Sequence, residues 1–381
     1  MAQLFANDKE IYDLIMASSR RMSSGVLVEL LQDRRIFVGM DGRSKLADML
    51  ATLPHDHHDV AGLVSKGEVA RRAERTTSVR IPGALTLQDL RSALSQYIKD
   101  VAGGEELSVQ SAVEDRLLVS VEYDEVEYSR TSLIQKQRRS SDFEFVIEDE
   151  FVTVRFPSNE KAREIVDSVT SKLSTIKNHT YSHEQITVSH IGDPAGRSRF
   201  FLSLMNRVEG FRLLHVTDVR VGRFSEVDDV SGADDDAEVE AVIGGRSEQL
   251  ISYIRSVSIR GANLVLTPEF KRLMDGGFFI TALTWEAERA AEPRDLVRFD
   301  VSFEDGVAGT GLRYALRHKG RRENGNLSST FHPVPEMQRS GLYRAIEIAA
   351  RFVLQEIDTE RSRSPSDDLG KGGAADGGDD K

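Results

Sequence analysis

Cysteine is missing altogether from the 381 residues, which removes in one step a disulfide framework, a thiolate zinc site, an iron–sulfur cluster and a cysteine nucleophile. Any metal centre must be built from His, Asp and Glu. Long apolar runs are also scarce: AIEIAARFVL, over Ala345–Leu354, is broken by charge and falls far short of the ~20 residues a membrane span requires. No membrane partner is expected. The opening MAQLFANDKEIYDLIMASSRR mixes acids and bases and has no apolar stretch leading to a small-residue cleavage site, which supports an expected cytoplasmic location.

Several catalytic signatures are absent as well. The sequence has no G-x-x-x-x-G-K-[ST] phosphate loop, no G-x-G-x-x-G after a strand, no G-x-S-x-G elbow and no kinase signature set, so ATPase, Rossmann oxidoreductase and α/β-hydrolase readings lose their main warrant. Basic charge is in deficit overall, with a formal net charge of −12, but the deficit is local. Ser225–Glu240 holds eight acids and no base, and Glu360–Lys381 holds six acids against four bases, which leaves only about −2 for the remainder. A near-neutral body can carry basic patches, so the acidic total does not exclude nucleic acid.

The length suits two or three domains at about 100–200 residues each. Residues 1–75 read as a helical domain. Ile11, Leu14 and Ile15 share a face, Ser23 or Ser24 caps the run through Leu31, Ser44 caps Lys45–Leu53, and Pro54 stops it. Short helices punctuated by Asp41-Gly42 allow a helix-turn-helix variant. Residues 76–104 form a linker and a helix, with Thr86 as cap and Gly103-Gly104 as stop. From 105 to 224 an α+β domain begins. Arg116–Tyr128 alternates, Phe143–Phe156 reads as two strands, Asn159–Ile176 is an amphipathic helix, and Phe211–Val221 is a strand.

The acidic stretch interrupts this domain as a flexible insertion over 225–245. The second half, 246–360, carries strands at Leu250–Arg260, Phe278–Trp285, Leu296–Phe303 and Leu312–Arg317, and a helix that starts at Thr267-Pro268. It ends in an amphipathic helix from Pro335, whose stripe is Leu342, Ile346, Ala349, Val353 and Ile357. Residues 361–381 are too rich in Ser, Gly and Asp to offset their ordering entropy, and form a disordered tail. The expected fold class is α+β: a small helical N-terminal domain followed by a mixed, mainly antiparallel strand-rich body with packed helices.

The densest set of possible ligands is His55-Asp56-His57-His58-Asp59. Imidazole and carboxylate together hold zinc, manganese or iron, and His55, His57, His58 and Asp59 are the residues such a site would use. A divalent metal is the one cofactor this allows. The plainer account is a polar turn and helix cap. His179, His183 and His190 form a second group whose spacing does not imply convergence. Glu122, Asp124, Glu125 and Glu127 alternate along one strand, Asp300, Glu304 and Asp305 lie near another, and Glu269-Phe270-Lys271 falls in a helix, where it cannot act as a nuclease signature. Gly192–Arg197 is a glycine-bearing turn followed by arginines that could hold an anion, with a plain surface loop as the favoured account.

Two basic stretches could meet phosphate. Lys136, Arg138 and Arg139 lie between strands, and Arg317, His318, Lys319, Arg321 and Arg322 sit in a Gly-containing segment expected to be an exposed hairpin loop. The second lacks interleaved aromatics, so base-specific recognition by it is not indicated. The reading that follows is a non-catalytic interaction or accessory protein, binding a protein partner or a nucleic-acid backbone through Arg317, Lys319, Arg321 and Arg322. The alternative is a metal-dependent hydrolase or nuclease using His, Asp and Glu ligands.

Overall fold

The computed structural model describes residues 6–39, 42–67, 74–101, 104–113, 115–224, 256–260, 267–321 and 326–363. The expected insertion over 225–245 and residues 364–381 of the expected tail lie outside them. The fold is α+β. The chain divides into two compact units, one of Met1–Glu74, Gly83–Val152 and Asn159–Tyr181, the other of Arg75–Pro82, Thr153–Ser158 and Ser182–Lys381.

The first unit opens with four helices, α1 (Asp8–Ala17), α2 (Ser24–Asp33), α3 (Arg43–Ala51) and α4 (His57–Gly67). Ile11, Leu14, Leu27, Leu31, Leu46 and Leu50 come together in one buried cluster, as their helical spacing requires. A capping box starts α1: Asn7 Oδ1 accepts from the Glu10 amide at 2.9 Å, and Glu10 accepts from the Asn7 amide. Ser44 does not cap α3, contrary to expectation. Gly42 holds that position, because the helix starts at Arg43, whose guanidinium turns back to donate to the carbonyls of Ile15, Met16 and Met22 and closes the C-terminal end of α1. Ser44 Oγ instead lies 2.9 Å from the Tyr12 hydroxyl.

The rest of this unit is helix α5 (Leu87–Asp100), the antiparallel meander β2 (Glu105–Val113), β3 (Arg116–Val126) and β4 (Lys136–Ile147), the short α6 (Ser132–Gln135) and helix α7 (Glu160–Lys177). Thr86 and Asp89 form a capping box on α5. α5 and α7 pack together, burying Leu90 and Leu94 on one and Ile165, Val169 and Leu173 on the other. Glu105 of β2 accepts from the Tyr97 hydroxyl and pairs with Lys161 at 2.7 Å, which ties both helices to the meander edge.

Strand β5 (Phe151–Pro157) carries the chain into the second unit. There it pairs with β1 (Thr76–Pro82), and the antiparallel sheet continues through β11 (Thr310–Lys319), β10 (Leu296–Asp305), β9 (Phe279–Arg289), β7 (Phe211–Gly222) and β8 (Ser256–Arg260). Two-residue strands β6 (Glu184–Gln185) and β12 (His332–Pro333) pair with β1 and β11. The unit also holds helices α8 (Pro194–Arg207), α9 (Pro268–Asp275) and α10 (Glu336–Arg363). Its apolar core includes Trp285, Phe299, Val301, Phe303 and Tyr314 from the strands, with Phe200 and Phe201 of α8. The expected stripe on α10 is buried throughout, with Ile346 and Val353 at 0 % exposure. A buried ion pair fixes its register: Arg155 of β5 donates to Glu347 at 2.8 and 2.7 Å and to Ser340 at 3.1 Å, and the Tyr314 hydroxyl donates to the same carboxylate. Two charges removed from water together hold only with this density of bonds.

Candidate anion-binding face

Because side chains alternate along a strand, the residues between the core positions of β7, β9, β10 and β11 form the opposite face of the second unit's sheet. The register aligns them in rows. Arg313 of β11 stands opposite Ser302 of β10, Ser302 opposite Ala282 of β9, and Ala282 opposite Arg220 of β7. In the next row Ala315, Asp300, Thr284 and Asp218 follow one another. Arg75, adjacent to the Thr76↔Tyr314 pair, reaches into this row from the other side. Its guanidinium holds both oxygens of Asp300 at 3.0 Å and Ser302 Oγ at 3.0 Å.

Ser302 is 3 % exposed, and its hydroxyl also accepts from Arg313 Nε at 3.1 Å. This is the only side-chain hydrogen bond of Arg313 among the described residues. Burial, then the neighbouring Arg75, pull the Arg313 guanidinium below its ordinary pKa; Arg220 adds to this while Glu304 and Asp300 oppose it. Arg75, Arg220, Asp218, Asp300, Ala282 and Thr284 line a polar cleft.

Further along β11, Arg317 and Lys319 continue on the same face by their even spacing from Arg313. Both belong to a paired strand, which runs past the expected end at Arg317 and takes in Lys319, expected in an exposed loop. Antiparallel pairing with Arg298 and Leu296 extends the strand through them. Arg317 is exposed and has no carboxylate within ion-pair distance among the described residues. Lys319 Nζ lies 4.5 Å from the centre of the Phe331 ring, and the Arg298 guanidinium lies 3.9 Å from it, a cation–π arrangement. An aromatic neighbour thus arrives from beyond the loop, where local sequence could not show it. Arg321 is committed elsewhere, to the Arg294 carbonyl at 3.0 Å and to Glu288 at 3.2 Å, and Arg322 lies outside the described residues.

The other basic stretch behaves differently. Lys136, Arg138 and Arg139 lie on β4 itself and face acids of β2 and β3. Arg138 has Glu106, Glu122 and Asp124 at 3.2, 3.3 and 3.6 Å. Lys136 pairs with Asp124 at 3.0 Å and Arg139 pairs with Glu125. The Lys136 ammonium holds the Asp124 carboxyl below the usual carboxylate range.

The His55–Asp59 cluster forms the entrance to α4. Both ring nitrogens of His55 are engaged, Nδ1 with Arg34 at 3.0 Å and Nε2 with the Leu50 carbonyl at 2.8 Å. Asp56 and Asp59 exchange backbone-to-carboxylate bonds at 2.8 and 3.1 Å, and Asp59 pairs with Arg34 at 2.7 Å. The exposed rings of His57 and His58 meet edge to face at 5.8 Å. Among the described residues no group of three or more His, Asp or Glu side chains is placed to hold a metal ion. His179 packs on Tyr181, and His190 bonds Asp358 of α10 at 2.8 Å. Glu269 lies in the first turn of α9, and Asp305 accepts two amides of the β10–β11 turn.

The Gly192–Arg197 turn is the start of α8. Asp193 caps it by accepting from the Gly196 amide at 2.6 Å, while Arg197 turns inward to the carbonyls of Ile191, Val307 and Ala308. That inward course commits its donors to carbonyls that hold the β10–β11 turn. The turn itself needs glycine at Gly309, where φ is +74° and a Cβ would stand 2.6 Å from Val188 Cγ2.

In comparison with known proteins, the chain matches no family model and no curated protein. Among the described residues no helix is long and apolar enough to cross a membrane.

Proposed function

We propose that this protein is an accessory binding module that engages a nucleic-acid backbone through the outer face of β11. The observation that carries the reading is the set Arg313, Arg317 and Lys319: three cations on one face of one strand, none in an ion pair with a carboxylate among the described residues. Cations left without an internal counter-charge bind solution anions instead, and phosphate-rich polymers release counterions when they do so. At ~3.4 Å per residue the three positions extend over roughly 20 Å of strand, a line suited to a backbone more than to a small ligand. Such contacts position a nucleic acid without reading its bases.

The metal-dependent hydrolase or nuclease built on His55, His57, His58 and Asp59 draws less support, since His55 has both ring nitrogens in structural bonds. The test is fluorescence anisotropy with labelled single- and double-stranded oligonucleotides at low salt. The wild-type protein is expected to bind both with little sequence preference, and the R317E/K319E variant is expected to lose most of that affinity. Absence of binding by the wild type, with capture of an acidic protein surface instead, would replace nucleic acid with a protein partner.

A further inference from the structure

Helix α10 carries apolar residues on two faces. Leu342, Ile346, Ala349, Val353 and Ile357 are buried on the core side. Away from the core, Gly341, Ala345, Ile348, Phe352, Gln355 and Thr359 follow one another at alternate steps of four and three residues, the heptad spacing that keeps a seam in line along a helix. None of them is charged, in a helix otherwise rich in Arg, Glu and Asp. Ile348 and Phe352, one turn apart, are 50 % and 46 % exposed, Phe352 even with the Arg207 guanidinium 5.1 Å from the centre of its ring. A Cβ at Gly341 would meet no other side chain within 4 Å, and Thr359 returns its hydroxyl to the Gln355 carbonyl at 2.6 Å. An open, uncharged seam with bulky apolar groups at its centre is suited to a partner helix.

The seam reads alike from both ends. About Ala350, Ile348 mirrors Phe352, Ala345 mirrors Gln355 and Gly341 mirrors Thr359. An antiparallel copy of α10 therefore sets the two bulky residues against each other and each small residue against a longer one. A parallel copy would stack Phe352 on Phe352 and leave Gly341 facing Gly341. The flanking charges select the same direction. Arg344 and Asp358 lie on one side of the seam near its opposite ends, and both are exposed. A two-fold axis across the helix exchanges the ends and keeps the sides, which brings Arg344 of each copy beside Asp358 of the other. Asp358 bonds His190 through Oδ1 and its side chain is 51 % exposed. Exposed pairs of this kind add little strength; they set direction, and the apolar seam supplies the contact. Arg351, on the same flank near the axis, is half-buried with its Nε shut off from solvent, and so lies back from the contact.

We propose that this seam is a homodimer interface, in which two copies of the chain pair along α10 in antiparallel fashion about a two-fold axis near Ala350. From Gly341 to Thr359 the seam is ~27 Å long. One helix from each copy makes a contact at the small end of the range for specific interfaces, so the dimer forms in a concentration-dependent manner.

The experiment uses the full chain without nucleic acid. Sedimentation velocity at rising protein concentration should show a monomer–dimer equilibrium. I348E should raise its dissociation constant by more than about tenfold and leave the melting temperature unchanged, since Ile348 lies outside the core. Because the chain has no cysteine, introduced thiols report the register. A345C and Q355C should crosslink to each other when the two variants are mixed under mild oxidation. Neither should crosslink to itself, since the antiparallel register holds like positions about 15 Å apart along the axis. R344D and D358R should each associate more weakly than the wild type, and mixing them should restore association. A monomer at every concentration, association untouched by I348E, or crosslinking within each single-cysteine variant would overturn the proposal, and none of these outcomes bears on the nucleic-acid reading.

Discussion

On β4, Lys136, Arg138 and Arg139 face a wall of carboxylates, whereas on β11 Arg313, Arg317 and Lys319 face a hydroxyl, solvent and an aromatic ring. Both strips are basic in sequence, and both lie on strands. The difference lies in the neighbouring strands. β3 offers Glu122, Asp124 and Glu125 in register with β4, while the corresponding positions beside β11 are Ser302, Arg298 and Leu296. A basic run is therefore a poor guide to an anion site until the register of its partners is known. Cross-strand pairs decide whether charge is spent inside the fold or left for a ligand.

Predictions follow from making the two strips more alike or more distinct. The largest effect is expected at the extreme of the paired class, the buried Arg155–Glu347 contact, whose side chains are 4 % and 6 % exposed. Glu347→Ala should cost about 3–5 kcal/mol in urea unfolding, since it strands a buried guanidinium, and the R155M/E347L pair should recover much of the loss. Next, removing the acids that mask β4 should turn it into a second anion strip: E122Q/D124N is expected to gain about tenfold in low-salt oligonucleotide affinity, read by anisotropy. No gain would show that β4 lacks the geometry as well as the charge.

Smaller effects separate the strips by stability. Arg139 is largely buried and pairs with Glu125, so Arg139→Gln should cost about 1 kcal/mol in thermal or chemical unfolding. Arg317→Gln should change stability by less than about 0.5 kcal/mol, as expected of a surface side chain with no ion pair among the described residues. A large destabilisation at Arg317 would mean that it serves the fold and not a ligand.

Legibility in the sequence followed the same division. Elements with a one-sided apolar pattern were readable from spacing and caps alone: the α7 face of Ile165, Val169 and Leu173, the α10 stripe, and the cap at Thr86. Strands β9 and β10 were readable because their inward residues are bulky and regular. Strand β2 was not, since EELSVQSAV carries few large apolar groups to set a phase. The beginning of β4 was hidden in QKQRRSSD, where exposed alternate residues are held by cross-strand pairing and not by burial. Of the candidate face, Arg317 and Lys319 stood out by type. Arg75, Arg220 and Arg313 did not, because they are brought to one face only by pairings between residues far apart in sequence.

The claim that β11 and not β4 receives a nucleic-acid backbone is tested most directly by the salt dependence of affinity, measured side by side for the wild type, R317Q/K319Q and K136Q/R138Q. The account predicts that the log-affinity versus log-salt slope falls by roughly 0.7–0.9 for each phosphate that the β11 variant no longer neutralises, and stays at the wild-type value in the β4 variant. Equal slopes in all three proteins, or a fall in the β4 variant alone, would contradict it.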